Sequence, residues 1–167
     1  DLLNYPITLV NAEDFGQLNL DNTDILILPD GRYNFINAKE TAEKLHRWIN
    51  EGGRVIAMEN AAVQISKLDW SAVHVKNVSD SATNADQPYA SLQKFDNRER
   101  DALTQNTPGS IFKVDIDNTH PLMFGYPDYY YTLKMDNVLF DFMKEGGWNA
   151  GVLKKDKQLS GFVGSKL

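Results

Sequence analysis

The sequence predicts an α/β fold built on a parallel βαβ unit. Three observations in one stretch predict it. Ile25 to Leu28 is a short apolar run bounded by turn residues. A strongly amphipathic segment follows and stops at Gly52-Gly53. Val55 to Met58 is a second apolar run directly after that stop. Continuous apolar runs of this length read as strands buried on both faces. Two such strands joined through a helix pair in parallel, with a right-handed crossover.

Each element has its own local reason. Asp21-Asn22-Thr23-Asp24 is turn chemistry ahead of the first of these strands, and Pro29-Asp30-Gly31 ends it. Asn37 is the expected helix N-cap, with Glu40 three residues on as a capping-box variant. Ala38, Ala42, Leu45, Trp48 and Ile49 fall on one helical stripe, and Lys39, Glu40, Glu43, Lys44 and Arg47 on the other. Glu40–Lys44 and Glu43–Arg47 are i,i+4 pairs in the favourable order. The glycine pair supplies a left-handed stop. Ala61 to Ile65 begins another helix. Upstream, Ile7 to Val10 (ITLV) is a candidate first strand, and Trp70 to Val75 a strand or extended return.

Signals weaken from Lys76 to Pro108, where Ser79 to Gln87 reads as a polar surface loop and Asn97 to Leu103 as a short helix. Strand character returns with Ile111, Phe112, Val114 and Ile116. Asn118 to Pro127 is a loop or short helical turn. Tyr129 to Leu133, Val138 to Phe142, Trp148 to Leu153 and Leu159 to Val163 are further strand candidates, so the second half is strand-rich. No internal repeat or linker divides the chain, and 167 residues suit one domain. The chain opens on Asp1 without a methionine, which reads as a piece of a longer protein.

Composition narrows the function classes. Seventeen Lys and Arg against 23 Asp and Glu give a formal charge of −6. The only basic run, Lys154-Lys155-Asp156-Lys157, is short and interrupted, which argues against nucleic-acid and anionic-membrane partners. No apolar run reaches the length of a membrane span, and no signal peptide is visible. With no cysteine, disulfides, thiolate metal sites and a Cys nucleophile are excluded.

The chemistry-bearing positions are few. Met58-Glu59-Asn60-Ala61 sits at a strand-to-helix turn, where α/β enzymes place a nucleophile between small neighbours. Glu59 is a candidate carboxylate nucleophile or base, and Asn60 a candidate ligand contact; the plainer reading is that both shape the turn. His46 is expected to be solvated on the helix, and His74 to be a strand side chain. His120, in Asp117-Asn118-Thr119-His120-Pro121, is either an imidazole oriented by Asp117 or a turn former. No histidine has zinc-ligand spacing. Asp21/Asp24, Asp80/Asp86 and Asp115/Asp117 lack calcium-loop spacing and read as solvated surface. Phosphate-binding glycine loops are absent. Of Tyr129, Tyr130 and Tyr131, at least one must be exposed if they share a strand, which makes Tyr129 and Tyr130 candidate binding residues.

The run Ile25-Leu26-Ile27-Leu28-Pro29-Asp30-Gly31, the helix end Trp48-Ile49-Asn50-Glu51-Gly52-Gly53 and Arg54-Val55-Ile56-Ala57 resemble the class I glutamine amidotransferase-like fold. Two later blocks are Pro108-Gly109-Ser110-Ile111-Phe112-Lys113-Val114-Asp115 and Thr119-His120-Pro121-Leu122-Met123-Phe124-Gly125-Tyr126. With Ser160-Gly161-Phe162-Val163-Gly164 they resemble the amidotransferase-like domain that follows the peptidase domain in bacterial zinc metallocarboxypeptidases. The resemblance is strongest over residues 24–65 and 108–164. It implies a flavodoxin-like three-layer sandwich with a mainly parallel central sheet, spanning 1–167. Amidotransferases of this class use an elbow Cys and a His-Pro-Glu; here Glu59-Asn60 and His120-Pro121-Leu122 stand instead, so none of their catalytic residues carries over.

The resemblance therefore implies a non-catalytic accessory domain of a secreted or envelope zinc carboxypeptidase-like protein. Such a domain would pack on the preceding peptidase domain or bind a peptide or cell-wall ligand. No cofactor is expected in this segment, the zinc belonging to the peptidase domain. Two alternatives stay open: a hydrolase using Glu59, or a serine such as Ser66, with His120, and a carbohydrate-binding module built on the tyrosines.

Overall fold

The computed structural model describes residues 5–76, 94–104 and 106–164. The chain divides into two compact units, 1–74 and 75–167.

The first unit holds the βαβ element. Strand β1 (Ile25–Leu28) pairs in parallel with β2 (Arg54–Ala57), with Ile25 opposite Arg54 and Leu28 opposite Ala57. Between them run a short helix α1 (Asn34–Asn37) and the longer α2 (Lys39–Asn50). The expected cap is displaced: Asn37 closes α1, and Ala38 occupies the N-cap of α2 without a side-chain bond. The Thr41 hydroxyl reaches back to the Phe35 carbonyl and ties the two helices together.

The end of α2 follows the glycine pair closely. Gly52, at φ 107°, donates to the Ile49 carbonyl, and Gly53 donates to the Trp48 carbonyl. These are the two bonds of a Schellman stop. The glycines serve different needs. Gly52 supplies the left-handed backbone, whereas a Cβ on Gly53 would lie 2.3 Å from the Trp48 indole.

The core of this unit gathers Phe15, Leu20, Leu28, Phe35, Ile36, Leu45, Trp48 and Ala61. Phe15 enters from a 3-10 turn (Ala12–Gln17) and stacks on Phe35 at 3.9 Å between ring centroids. Lys44 Nζ crosses over to the carbonyls of Phe15, Gly16 and Leu18, fixing that turn on α2. Helix α3 (Asn60–Ile65) follows β2 directly.

One expectation fails in the two strands. Leu26, Leu28, Val55 and Ala57 face the core, but Ile25, Ile27 and Ile56 stand 47%, 51% and 45% exposed on the other face. Both strands alternate in burial although their sequences do not alternate in polarity. A parallel sheet normally carries cover on both sides; here the helices cover one.

The second unit is built on an antiparallel sheet of order β4-β3-β5, from β3 (Gly109–Ile116), β4 (Tyr129–Lys134) and β5 (Gly151–Phe162). Helix α4 (Arg98–Leu103) precedes it. Phe112 and Ser110 are buried on the central strand.

The flavodoxin-like three-layer sandwich with a mainly parallel sheet is thus not the observed architecture. Parallel pairing is confined to β1 and β2, and the other three strands make a separate antiparallel sheet. Parallel pairing needs a long crossover, usually a helix. The link from β3 to β4 carries only a 3-10 turn (Pro121–Met123), and that from β4 to β5 carries no helix.

Other strand readings also shift. Residues 7–10 form no strand and lie exposed. Of 70–75 and 138–142, only Val75 and Phe140 pair, as an isolated bridge. The two candidates at 148–153 and 159–163 fall on one strand, β5, which begins only at Gly151 and ends at Phe162. The loop reading at 79–87, with Asp80 and Asp86, lies outside the described residues.

Candidate functional site

The residues with the most constrained geometry lie where β1 and β2 end. Ligands of open parallel sheets bind beyond the carboxyl ends of the strands. Two segments meet there: the loop Pro29-Asp30-Gly31 after β1, and the elbow Met58-Glu59-Asn60 that carries β2 into α3. The ladder continues one step past the strands, with Met58 N–H donating to the Leu28 carbonyl at 3.0 Å.

Glu59 adopts φ 51° and ψ −119°, and is the only non-glycine with positive φ among the described residues. A long side chain there costs about 1–3 kcal/mol and persists only where the surroundings over-determine it. The surroundings are visible. One oxygen of Asp30, Oδ1, accepts from both the backbone N–H (3.2 Å) and the side-chain Nδ2 (2.9 Å) of Asn60. One turn on, Gln64 Nε2 donates to the carbonyls of Gly31 (2.7 Å) and Asn60 (3.0 Å), while its Oε1 accepts from Tyr33 N–H (2.9 Å). The Tyr33 hydroxyl closes the loop on the Pro29 carbonyl at 2.9 Å. The small neighbours Ala57 and Ala61, the latter fully buried, let the turn pass.

This arrangement presents the Glu59 side chain to solvent and commits the residues around it. Among the described residues no hydrogen bond or ion pair reaches the Glu59 carboxylate. Asn60 is spent on Asp30. Ser66 caps the far end of α3, its hydroxyl donating to the Val63 carbonyl at 2.8 Å. Neither Asp30 nor Gln64 was singled out from the sequence. Their signal was present in weak form: Asp30 sits in a Pro-Asp-Gly turn, and Gln64 stands four residues after Asn60 on one helix face.

The remaining candidates belong to the second unit. His120 caps the 3-10 turn Pro121–Met123, its Nδ1 accepting from Leu122 N–H at 3.2 Å. The Asp117 carboxylate accepts from the hydroxyl (2.6 Å) and backbone of Thr119, which hold it below the ordinary aspartate range, while its carbonyl takes His120 N–H. Tyr129 and Tyr130 lie on opposite faces of β4. Tyr129 packs with Tyr131 at 5.4 Å and lies under Lys113 Nζ at 4.4 Å; Tyr130 meets Tyr126 edge-on at 5.9 Å. Tyr130 and Tyr131 are about half exposed.

Elsewhere, His74 lies exposed and outside any strand, contrary to the strand reading, while His46 and Asp115 have local partners. His46 stacks flat on Trp70 at 4.7 Å rather than pointing free into solvent. Asp115 pairs with Lys154 at 2.6 Å; the ammonium's hydrogen bond holds the carboxyl below its ordinary range and raises Lys154 in return. Among the described residues no cluster of His, Asp and Glu could hold a metal ion. Among them, too, no helix is long and apolar enough to cross a membrane.

Comparison with family models, curated proteins and solved structures gives no match. The resemblance drawn above therefore stands on its quoted residues alone.

Proposed function

We propose that this chain is a non-catalytic accessory domain of a secreted zinc carboxypeptidase-like protein, and that it packs on the peptidase domain of the same protein. The observation that carries this is the bare face of the parallel sheet. Ile25, Ile27, Ile56 and Met58 are all more than two-fifths exposed, on strands whose composition suits burial on both sides. Contiguous exposed apolar surface of this kind marks an interaction site more often than a free surface. The elbow supports the same reading. Its residues are fastened to one another, cysteine is absent, and the one unengaged group is a solvent-facing carboxylate.

The test is a titration of the 167-residue chain against the zinc peptidase domain that the proposal places in the same reading frame, and a reading frame without one would overturn the proposal. Binding is expected, and the double variant Ile27→Lys/Ile56→Lys should abolish it while far-UV circular dichroism stays unchanged. Absence of binding, or binding indifferent to both lysines, would overturn the proposal.

A hydrolase working through Glu59 is a second reading, favoured by one observation: the strained backbone at the elbow. Strain of this sort clusters at active sites. It predicts turnover that disappears in Glu59→Gln.

A further inference from the structure

The two edges of the antiparallel sheet are built differently. On β5, Phe112 pairs with Gln158 and Val114 with Leu153, so residues 154–157 stand out of register opposite the single residue Lys113. That bulge is Lys154-Lys155-Asp156-Lys157. A bulge carrying lysines is the usual means of making a sheet edge unfit for pairing. On β4 nothing comparable exists. Its six residues pair with β3 without interruption from Ser110–Lys134 to Asp115–Tyr129, and no described strand lies on its outer side.

The groups that this edge offers follow from the register. Ile116 N–H donates to the Asp128 carbonyl at 2.9 Å, so Ile116 and Asp128 are a hydrogen-bonded pair. Such pairs alternate along an antiparallel ladder. The even-numbered residues Tyr130, Thr132 and Lys134 therefore spend their backbone groups on β3. Tyr129, Tyr131 and Leu133 turn theirs to the open edge. Tyr131 and Leu133, at 52% and 60% exposure, flank that edge with apolar surface.

We infer that β4 is a pairing edge for a second copy of this chain, and that two sheets join there about a twofold axis at Tyr131. The strand complements itself in this register. Tyr131 faces Tyr131, Tyr129 faces Leu133, and Tyr130 faces Thr132, all aromatic–aromatic, aromatic–aliphatic or aromatic–β-branched pairs of the favourable kinds. At the ends Asp128 of one copy faces Lys134 of the other, where the ammonium already holds Asp136. No like charges stand opposite each other. The open-edge residues fall opposite one another as hydrogen-bonding pairs, giving about six new backbone bonds. Pro127 has no N–H to offer and ends the pairing at that side. The joint is small, which places it among weak, concentration-dependent contacts. It lies on a different surface from the sheet face assigned above to the peptidase domain, so Ile27→Lys should leave it untouched.

The experiment is sedimentation equilibrium on the 167-residue chain over a wide concentration range. A reversible monomer–dimer equilibrium is expected. Tyr131→Lys sets two ammonium groups face to face at the axis and should weaken association by roughly tenfold or more. Ile111→Lys, the same change on the central strand of the same face, should shift it by less than about twofold. Because the chain has no cysteine, single thiols report position without background: a short bis-maleimide should link Tyr131→Cys to its own copy but not Leu159→Cys on β5. A chain monomeric throughout, association equal in both lysine variants, or equal crosslinking at 131 and 159 would each overturn the inference. The thiol pair keeps the test decisive should either lysine variant fail to fold.

Discussion

The two units bury apolar side chains to very different degrees. Among the described residues of 1–74, eight hydrophobic residues lie below a tenth of their surface exposed, drawn from a 3-10 turn, β1, α1, α2, α3 and the loops between them. Among the described residues of 75–167, Phe112 alone does so, while Leu122, Phe124, Trp148 and Phe142 stand well exposed. One unit is held by side-chain packing around a helix. The other is held by a backbone ladder, with local clasps such as Lys134 to Asp136 and the Val138 carbonyl, and Asn149 to both backbone groups of Met143. The lesson is that similar apolar content supports either a core or a surface, depending on whether a helix lies across the strands.

The contrast is most sharply broken by side-chain truncation. Leu45→Ala removes a fully buried side chain at the centre of the first core and should cost about 2–5 kcal/mol. Leu133→Ala, on the exposed face of β4, should stay within about 0.5 kcal/mol in dilute solution. Urea unfolding with Trp fluorescence and circular dichroism measures both; similar costs would erase the distinction.

The glycine pair comes next. Gly53→Ala drives a methyl group into the Trp48 indole and should cost about 1–3 kcal/mol. Gly52→Ala meets no atom within 4 Å but keeps a positive φ, at about 1–2 kcal/mol. A Trp48→Leu background should relieve the first cost and leave the second, which separates packing from backbone strain.

At the elbow, Glu59→Gly should raise stability by about 1 kcal/mol by releasing strain, net of the entropy that glycine adds to the unfolded chain. Asp30→Ala should lower it by about 1 kcal/mol through the loss of both bonds to Asn60. Thermal melts of the two variants shifting in opposite directions would show that the strain is real and held from outside.

The smallest effect is electrostatic. Asp115 is lowered by the Lys154 ammonium, so its contribution is present at neutral pH and fades as pH falls through its depressed value. Lys154 is raised, so its share is present below its unfolded value and fades as pH rises through the folded one. Both groups are exposed, and salt should weaken the pair. Asp115→Asn should flatten the acid limb of a stability–pH profile slightly.

How much of this was legible in the sequence follows from how local each signal is. The βαβ unit was readable because its parts are local: an apolar run, a helical stripe, a glycine stop and a second run. The bare sheet face was not, since Ile25 and Ile27 look the same whether or not a second layer covers them. The β4-β3-β5 order was hidden because β3 pairs with residues far along the chain. The clasp around the elbow was missed for the same reason: Asp30 and Asn60, and Gly31 and Gln64, meet across separations of 30 and 33 residues. The elbow itself was legible, and its positive φ at Glu59 suits the expected sharp turn; the expected cap at Asn37 gave way to a short helix that ends there.

The proposal above holds that the elbow, strained at Glu59, is kept here without enzyme chemistry. The most direct measurement is turnover of glutamine and of an activated ester by the 167-residue chain and by Glu59→Gln. Rates equal to the uncatalysed blank are expected for both proteins and both substrates. Turnover above the blank that is lost in Glu59→Gln would contradict it.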